Sequence, residues 1–141
     1  MKKILFLAAS VLFCVFGLVL SSCDNNDDPQ SSVAKPVAAL AEVGEENSKE
    51  ATAGKDLHLE GDLEAEGLIA RIDVTIATAD GKTTIVQKSY TDGKYIGVRN
   101  TTFHEHLDIP ENAAAGAYKV TFVVTDKLGQ STTFTSDLTV K

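Results

Sequence analysis

Tryptophan is absent, and the 141 residues hold only two cysteines, three prolines and three tyrosines. Without tryptophan, and with most aromatics at positions that alternation assigns to a core, there is little to stack on a sugar ring. Tyr90 and Tyr95, flanking Asp92-Gly93, are the one pair that an exposed platform would use; the plainer reading is a hairpin-flanking aromatic pair. Basic residues are in the minority, 13 Lys and Arg against 20 Asp and Glu, for a formal net charge of −7. A chain this acidic repels phosphate backbones and anionic headgroups, so nucleic acid is excluded as a partner. Catalytic signatures are missing as well: there is no His-Glu-x-x-His, Gly-x-Ser-x-Gly, Gly-x-x-x-x-Gly-Lys or Gly-x-Gly-x-x-Gly. The expectation is a protein that binds and is not an enzyme.

What is present begins at the N-terminus. Lys2-Lys3 precede an apolar run from Ile4 to Leu20, and Ser21-Ser22-Cys23 follow it. Charges, a greasy run and small residues before a cysteine form a secretory signal of the bacterial lipoprotein kind. The run contains Gly17 and is short for a span of roughly 30 Å. Residues 1–22 are therefore expected to be removed, leaving Cys23 as the acylated first residue. Cys14 lies in the discarded segment, so the mature chain forms no internal disulfide and keeps no free thiol nucleophile. Attachment to the membrane is then through the lipid alone.

Residues 23–35 are expected to be the lipidated cysteine and an acidic, flexible tether, since Asp24 to Ala34 has almost no apolar surface to bury. Asp24, Asn26 and Asp28 imitate the start of a calcium loop, but Pro29 and Lys35 stand where glycine and glutamate are required. An acidic cluster directly after the anchoring cysteine resembles the surface-export signal of Bacteroides-type lipoproteins. That resemblance implies an outer-membrane lipoprotein displayed at the cell surface.

From residue 36 to 141 the pattern changes to short alternating runs separated by Gly, Asp and Asn. Pro36–Val43 reads as an edge strand. In Asp56–Ala65, Leu57, Leu59 and Leu63 share one face and His58, Glu60, Asp62 and Glu64 the other. Ile69–Ala77 turns Ile72, Val74 and Ile76 inward and Arg71, Asp73 and Thr75 outward; Arg71 and Asp73 read as a cross-strand or same-face ion pair of the structural kind. Asp80-Gly81 predicts a hairpin into Thr83–Tyr90, and Asp92-Gly93 a second turn of the same kind. Thr102–Ile109 ends at Pro110. Tyr118–Thr125 aligns Tyr118, Val120, Phe122 and Val124, and a last strand points Phe134, Leu138 and Val140 inward. About seven short strands without helical periodicity predict an all-β fold, an antiparallel Ig-like β-sandwich.

The segment from Ala115 to Gly129, with Tyr118 opening a strand and Asp126-Lys127-Leu128-Gly129 closing it, resembles the last hairpin of bacterial Ig-like and cadherin-like modules. In such modules the tyrosine ring caps the core while its hydroxyl bonds backbone at the corner. Four blocks in order, Asp56–Glu60, Ile69–Val74, Asn100–Pro110 and Val124–Gln130, are similar to the Bacteroides-type lipoproteins classed as domain of unknown function 4625. The resemblance implies a surface or outer-membrane Ig-like lipoprotein with no assigned activity. The function expected of the chain is that of a non-enzymatic, lipid-anchored binding module whose partner is an envelope or extracellular protein or ligand.

The three histidines all lie in this domain. His104 and His106 are two apart on one strand and so share a face, with Asp108 beside them. In an Ig-type sandwich that strand pairs with the one bearing His58. Strands about 4.8 Å apart would let three imidazoles converge near Glu60 or Asp108. Such a set suits zinc or another borderline divalent ion, and His58, His104 and His106 are the candidate ligands. The plain alternative is three surface histidines on a solvated face. One residue breaks the pattern: Glu105 falls at an inward position, which predicts a bulge, a sheet margin or an inverted register.

Overall fold

The computed structural model describes residues 33–141, so the expected signal peptide, Cys23 and most of the expected tether lie outside the described residues. The elements are β1 (Val37–Val43), β2 (Glu50–Ala51), β3 (Asp56–Glu64), β4 (Ile69–Thr78), β5 (Thr84–Tyr90), β6 (Asn100–Asp108), β7 (Gly116–Asp126) and β8 (Ser131–Val140), with a 3-10 turn at Glu45–Asn47. They form two sheets, ordered β1-β3-β6 and β2-β8-β7-β4-β5. This is the expected β-sandwich, and β3 and β6 pair without a register break.

Alternation decides which face each strand buries. Leu57, Leu59 and Leu63 of β3 and Phe103 and Leu107 of β6 are buried against Ile72, Val74 and Ile76 of β4 and Tyr118, Val120, Phe122 and Val124 of β7. Phe103 and Phe122 meet edge to face across the core, with ring centroids 5.0 Å apart. Gly61 holds an inward position of β3 where a Cβ would lie 2.6 Å from the Ala39 carbonyl oxygen. Only glycine lets β1 approach β3 this closely, beside a register shift between Leu40 and Glu42.

The Tyr118 hydroxyl donates to the Ala114 carbonyl at 2.8 Å, the corner bond expected of that tyrosine. Asp126 closes the β7–β8 hairpin: its Oδ1 accepts from the N–H groups of Leu128 (2.9 Å) and Gln130 (2.8 Å). The N-terminal end of the described chain touches the same region. Gln130 Nε2 donates to the Val33 carbonyl at 3.3 Å, and the Ala34 N–H to Glu66 at 3.1 Å.

Three features differ from the sequence expectation. β2 is an additional strand, and it pairs parallel to β8, so the second sheet is not wholly antiparallel; two residues are too few to show alternation. Asp92-Gly93 does not close a hairpin, because β5 and β6 belong to different sheets and the chain crosses between them there. Tyr95, in that crossing, is only 3% exposed, so the aromatic platform is not formed. It packs against Phe103 at 5.0 Å, and Tyr90 meets Tyr95 edge to face at 5.8 Å.

Candidate metal centre

The outer face of the three-stranded sheet carries every histidine of the chain. Antiparallel register sets His58 of β3 opposite His106 of β6, Glu60 opposite His104 and Asp56 opposite Asp108. The His58 carbonyl accepts from the Gly44 N–H, on the β1 side. The His104 N–H and carbonyl bond the Tyr95 hydroxyl, away from β3. Neither histidine therefore exchanges backbone hydrogen bonds across the β3–β6 seam at these pairs. Such non-hydrogen-bonded pairs bring facing Cα atoms to about 4.5 Å rather than about 5.5 Å, with the side chains correspondingly closer.

The three rings converge. Their centroids form a nearly equilateral triangle: His58 is 4.8 Å from His104, stacked, and 5.1 Å from His106, and His104 and His106 are 5.7 Å apart. Glu60 Oε2 is 3.0 Å from His104 Nδ1 and 3.7 Å from His58 Nε2. Donor atoms of His58, Glu60 and His104 all fall within 4.8 Å of one another. Two ligands each about 2.1 Å from a tetrahedral ion lie about 3.4 Å apart, and the two Glu60 separations bracket that value.

His58 Nε2 is the unusual atom. It is shut off from solvent and has no hydrogen-bond partner. An unsatisfied buried polar atom costs on the order of 1–3 kcal/mol, and a lone pair or N–H in this position asks for a partner.

His106 stands beside this group with a partner of its own. Its Nδ1 is 2.6 Å from Asp56 Oδ2, and that bond, first among several causes, holds the Asp56 carboxyl below the usual carboxylate range. An ionised carboxylate only accepts, so Nδ1 bears the proton, and in the neutral ring Nε2 then carries the lone pair. This is the arrangement by which second-shell carboxylates orient metal-binding imidazoles. Of the residues singled out from the sequence, His58 and His104 join Glu60 in one donor group, His106 adjoins it through its ring, and Asp108 stands opposite Asp56 outside the group. The Asp56–His106 bond was not foreseen; its signal was the outward alternation Asp56, His58, Glu60 read against a partner strand.

Side-chain exposure grades from 18% at His58 through 37% at Glu60 to 51% and 52% at His104 and His106. The site is thus open on one side. A polar cleft of about 470 Å³, lined by Ser48, Lys55, Asp56, His58, His106 and Lys141 among others, adjoins it. A more apolar cavity of about 460 Å³ lies farther along the same face, past Asp62 and Thr102, and holds no histidine. Arg71 and Asp73 pair at 2.6 Å on the other sheet, tied to Ser89, as a surface brace.

Solved structures offer loose likenesses. CopC from Methylosinus trichosporium OB3b matches at TM-score 0.42 and 23% identity, over 74% of this chain and 94% of its own. A Niemann-Pick type C2 protein from Japanese carpenter ant matches at 0.46 and 8%, over 77% and 91%. A family 123 glycoside hydrolase from Clostridium perfringens matches at 0.42 and 12%, over 76% of this chain but 27% of its own. With TM-scores below 0.5 these likenesses are too loose to bear on function. No curated protein matches the sequence. The family model described as domain of unknown function (DUF4625) matches residues 21–141, and the chain belongs to that family.

Proposed function

We propose that this protein is a divalent-metal-binding module, not an enzyme, held at the outer face of the cell envelope by acyl chains on Cys23. The observation that carries the metal reading is the convergence of His58, Glu60 and His104 around the unpartnered His58 Nε2. His106, with its tautomer set by Asp56, adds a further nitrogen at the margin of the group. Imidazole nitrogens with one carboxylate and no thiolate suit zinc or a neighbouring borderline ion better than calcium or magnesium. The acidic balance of the chain concentrates cations near such a site.

The metal is cargo in this reading and not a structural staple. The core lies on the opposite side of β3 and β6, and it is complete without the histidines. A ligand that binds only the native state raises stability by mass action, about 2.7 kcal/mol at a hundredfold excess over Kd. Zinc is expected to raise the melting temperature, with the effect weakening in acid because protons compete with the metal for the same donor atoms. His58→Ala with His104→Ala should abolish the response. An unshifted melt of the natural protein in excess zinc would leave the histidines as ordinary surface residues.

A further inference from the structure

β6 is an edge of its sheet, so every second residue presents an N–H and a carbonyl that no neighbouring strand takes up. Among the described residues, the free-side backbone of β6 is bonded by a side chain at one place, His104. The Tyr95 hydroxyl accepts from the His104 N–H at 3.2 Å, and its own proton faces the His104 carbonyl at 2.8 Å and Glu105 Oε1 at 2.7 Å. One buried hydroxyl thereby substitutes for a missing strand at a candidate metal ligand.

Glu105 explains the cost of this arrangement. It occupies an inward position between Phe103 and Leu107, both buried, where an apolar residue is expected, and β6 runs through it in unbroken register. No bulge or inversion relieves it. Tyr90 approaches its Oε2 at 3.5 Å, and Lys94 and Lys88 lie 3.6 and 3.9 Å away. A carboxylate kept among core positions and served by two tyrosines and two lysines breaks the local pattern, and such breaks concentrate at functional sites.

Resting on the metal reading above, we infer that Tyr95 is a positioning residue for His104, and that Glu105 aims the Tyr95 hydroxyl at the strand. Edge-strand backbone frays readily, and a ligand on fraying backbone holds its coordination geometry poorly. Tyr95 removes that freedom at the residue whose Nδ1 stands 3.0 Å from Glu60. Its ring is locked in turn by Phe103 and Tyr90.

Three proteins test this: wild type, Tyr95→Phe and, as control, Tyr118→Phe, which removes a buried tyrosine hydroxyl on the other sheet. Zinc affinity is measured by competition with a chromophoric chelator, and imidazole 1H–15N spectra are recorded without metal. Tyr95→Phe should weaken zinc binding by about ten-fold or more, as second-shell losses do. It should also displace the His104 imidazole resonances while leaving those of His106 in place. Tyr118→Phe should lose stability and keep the wild-type affinity. Wild-type affinity and an unmoved His104 spectrum in Tyr95→Phe would overturn the inference and leave the metal reading intact. If wild type takes up no zinc, the metal reading falls, and an unmoved His104 spectrum then removes the positioning role too.

Discussion

Tyr118 offers a quantitative test of the sandwich itself. Its ring is 3% exposed, and its hydroxyl donates at 2.8 Å to the carbonyl of Ala114, four residues upstream. The two parts of the side chain can be removed separately. Tyr118→Phe keeps the ring and removes the bond to the carbonyl of Ala114, an exposed residue that water can reach, which should cost about 0.5–1.5 kcal/mol. Tyr118→Ala also removes the ring from between the two sheets, for a total of about 3–5 kcal/mol. With roughly 4–8 °C per kcal/mol for a domain near 100 residues, the first variant should melt about 2–12 °C lower and the second about 12 °C lower or more. Circular dichroism during heating and during urea titration measures both. The urea slope should stay constant, since the unfolded chain exposes nearly the same surface. A shift of a degree or two in Tyr118→Ala would place Tyr118 outside the core. Equal losses in the two variants would mean that the hydroxyl, and not ring packing, secures this corner.

Two further outcomes are expected. Asp73 is held below the usual carboxylate range first by its bond to Arg71, with Ser89 adding to it. A carboxyl whose folded pKa is lowered stabilises the fold above its unfolded pKa, about 3.9, and loses that contribution as pH falls through the folded value. Asp73→Asn should thus be less stable than wild type at pH 6, and the gap should close in strong acid; a gap that persists or widens at pH 2 in urea melts would contradict the pairing. The anchor is tested by Cys23→Ala in cells: the variant should leave washed membranes and incorporate no fatty acid, since acyl chains supply about 0.8 kcal/mol per buried methylene. Its retention there after removal of residues 1–22 would refute attachment through Cys23.

Much of the fold could be read from alternation. Leu57, Leu59 and Leu63 against His58 and Glu60, or Ile72, Val74 and Ile76 against Arg71 and Asp73, are unambiguous because one face of each strand is dry. The same rule put His104 and His106 on one face. It could not set the register across β3 and β6, which determines that Glu60 meets His104 and Asp56 lies within reach of His106. Register depends on turns and partners distant in the chain, and no local pattern encodes it. β2 was invisible because Glu50 and Ala51 span a single alternation. The Asp92-Gly93 signal was local: the hydrogen-bonded turn falls later, from Gly93 to Ile96, where Tyr95 is buried and the chain crosses to the other sheet. Glu105 was legible as an anomaly; its resolution needed Tyr95, Tyr90, Lys88 and Lys94, which only the folded chain assembles around it.

X-ray absorption at the zinc edge tests the central claim most directly. Protein loaded with one equivalent of zinc should show nitrogen and oxygen ligands at about 2.0–2.1 Å, with imidazole multiple scattering from at least two histidines and no sulfur shell. That scattering should diminish in His104→Ala and remain in Tyr118→Phe. A spectrum of hexa-aqua zinc, or one unchanged by His104→Ala, would contradict a metal centre at His58, Glu60 and His104.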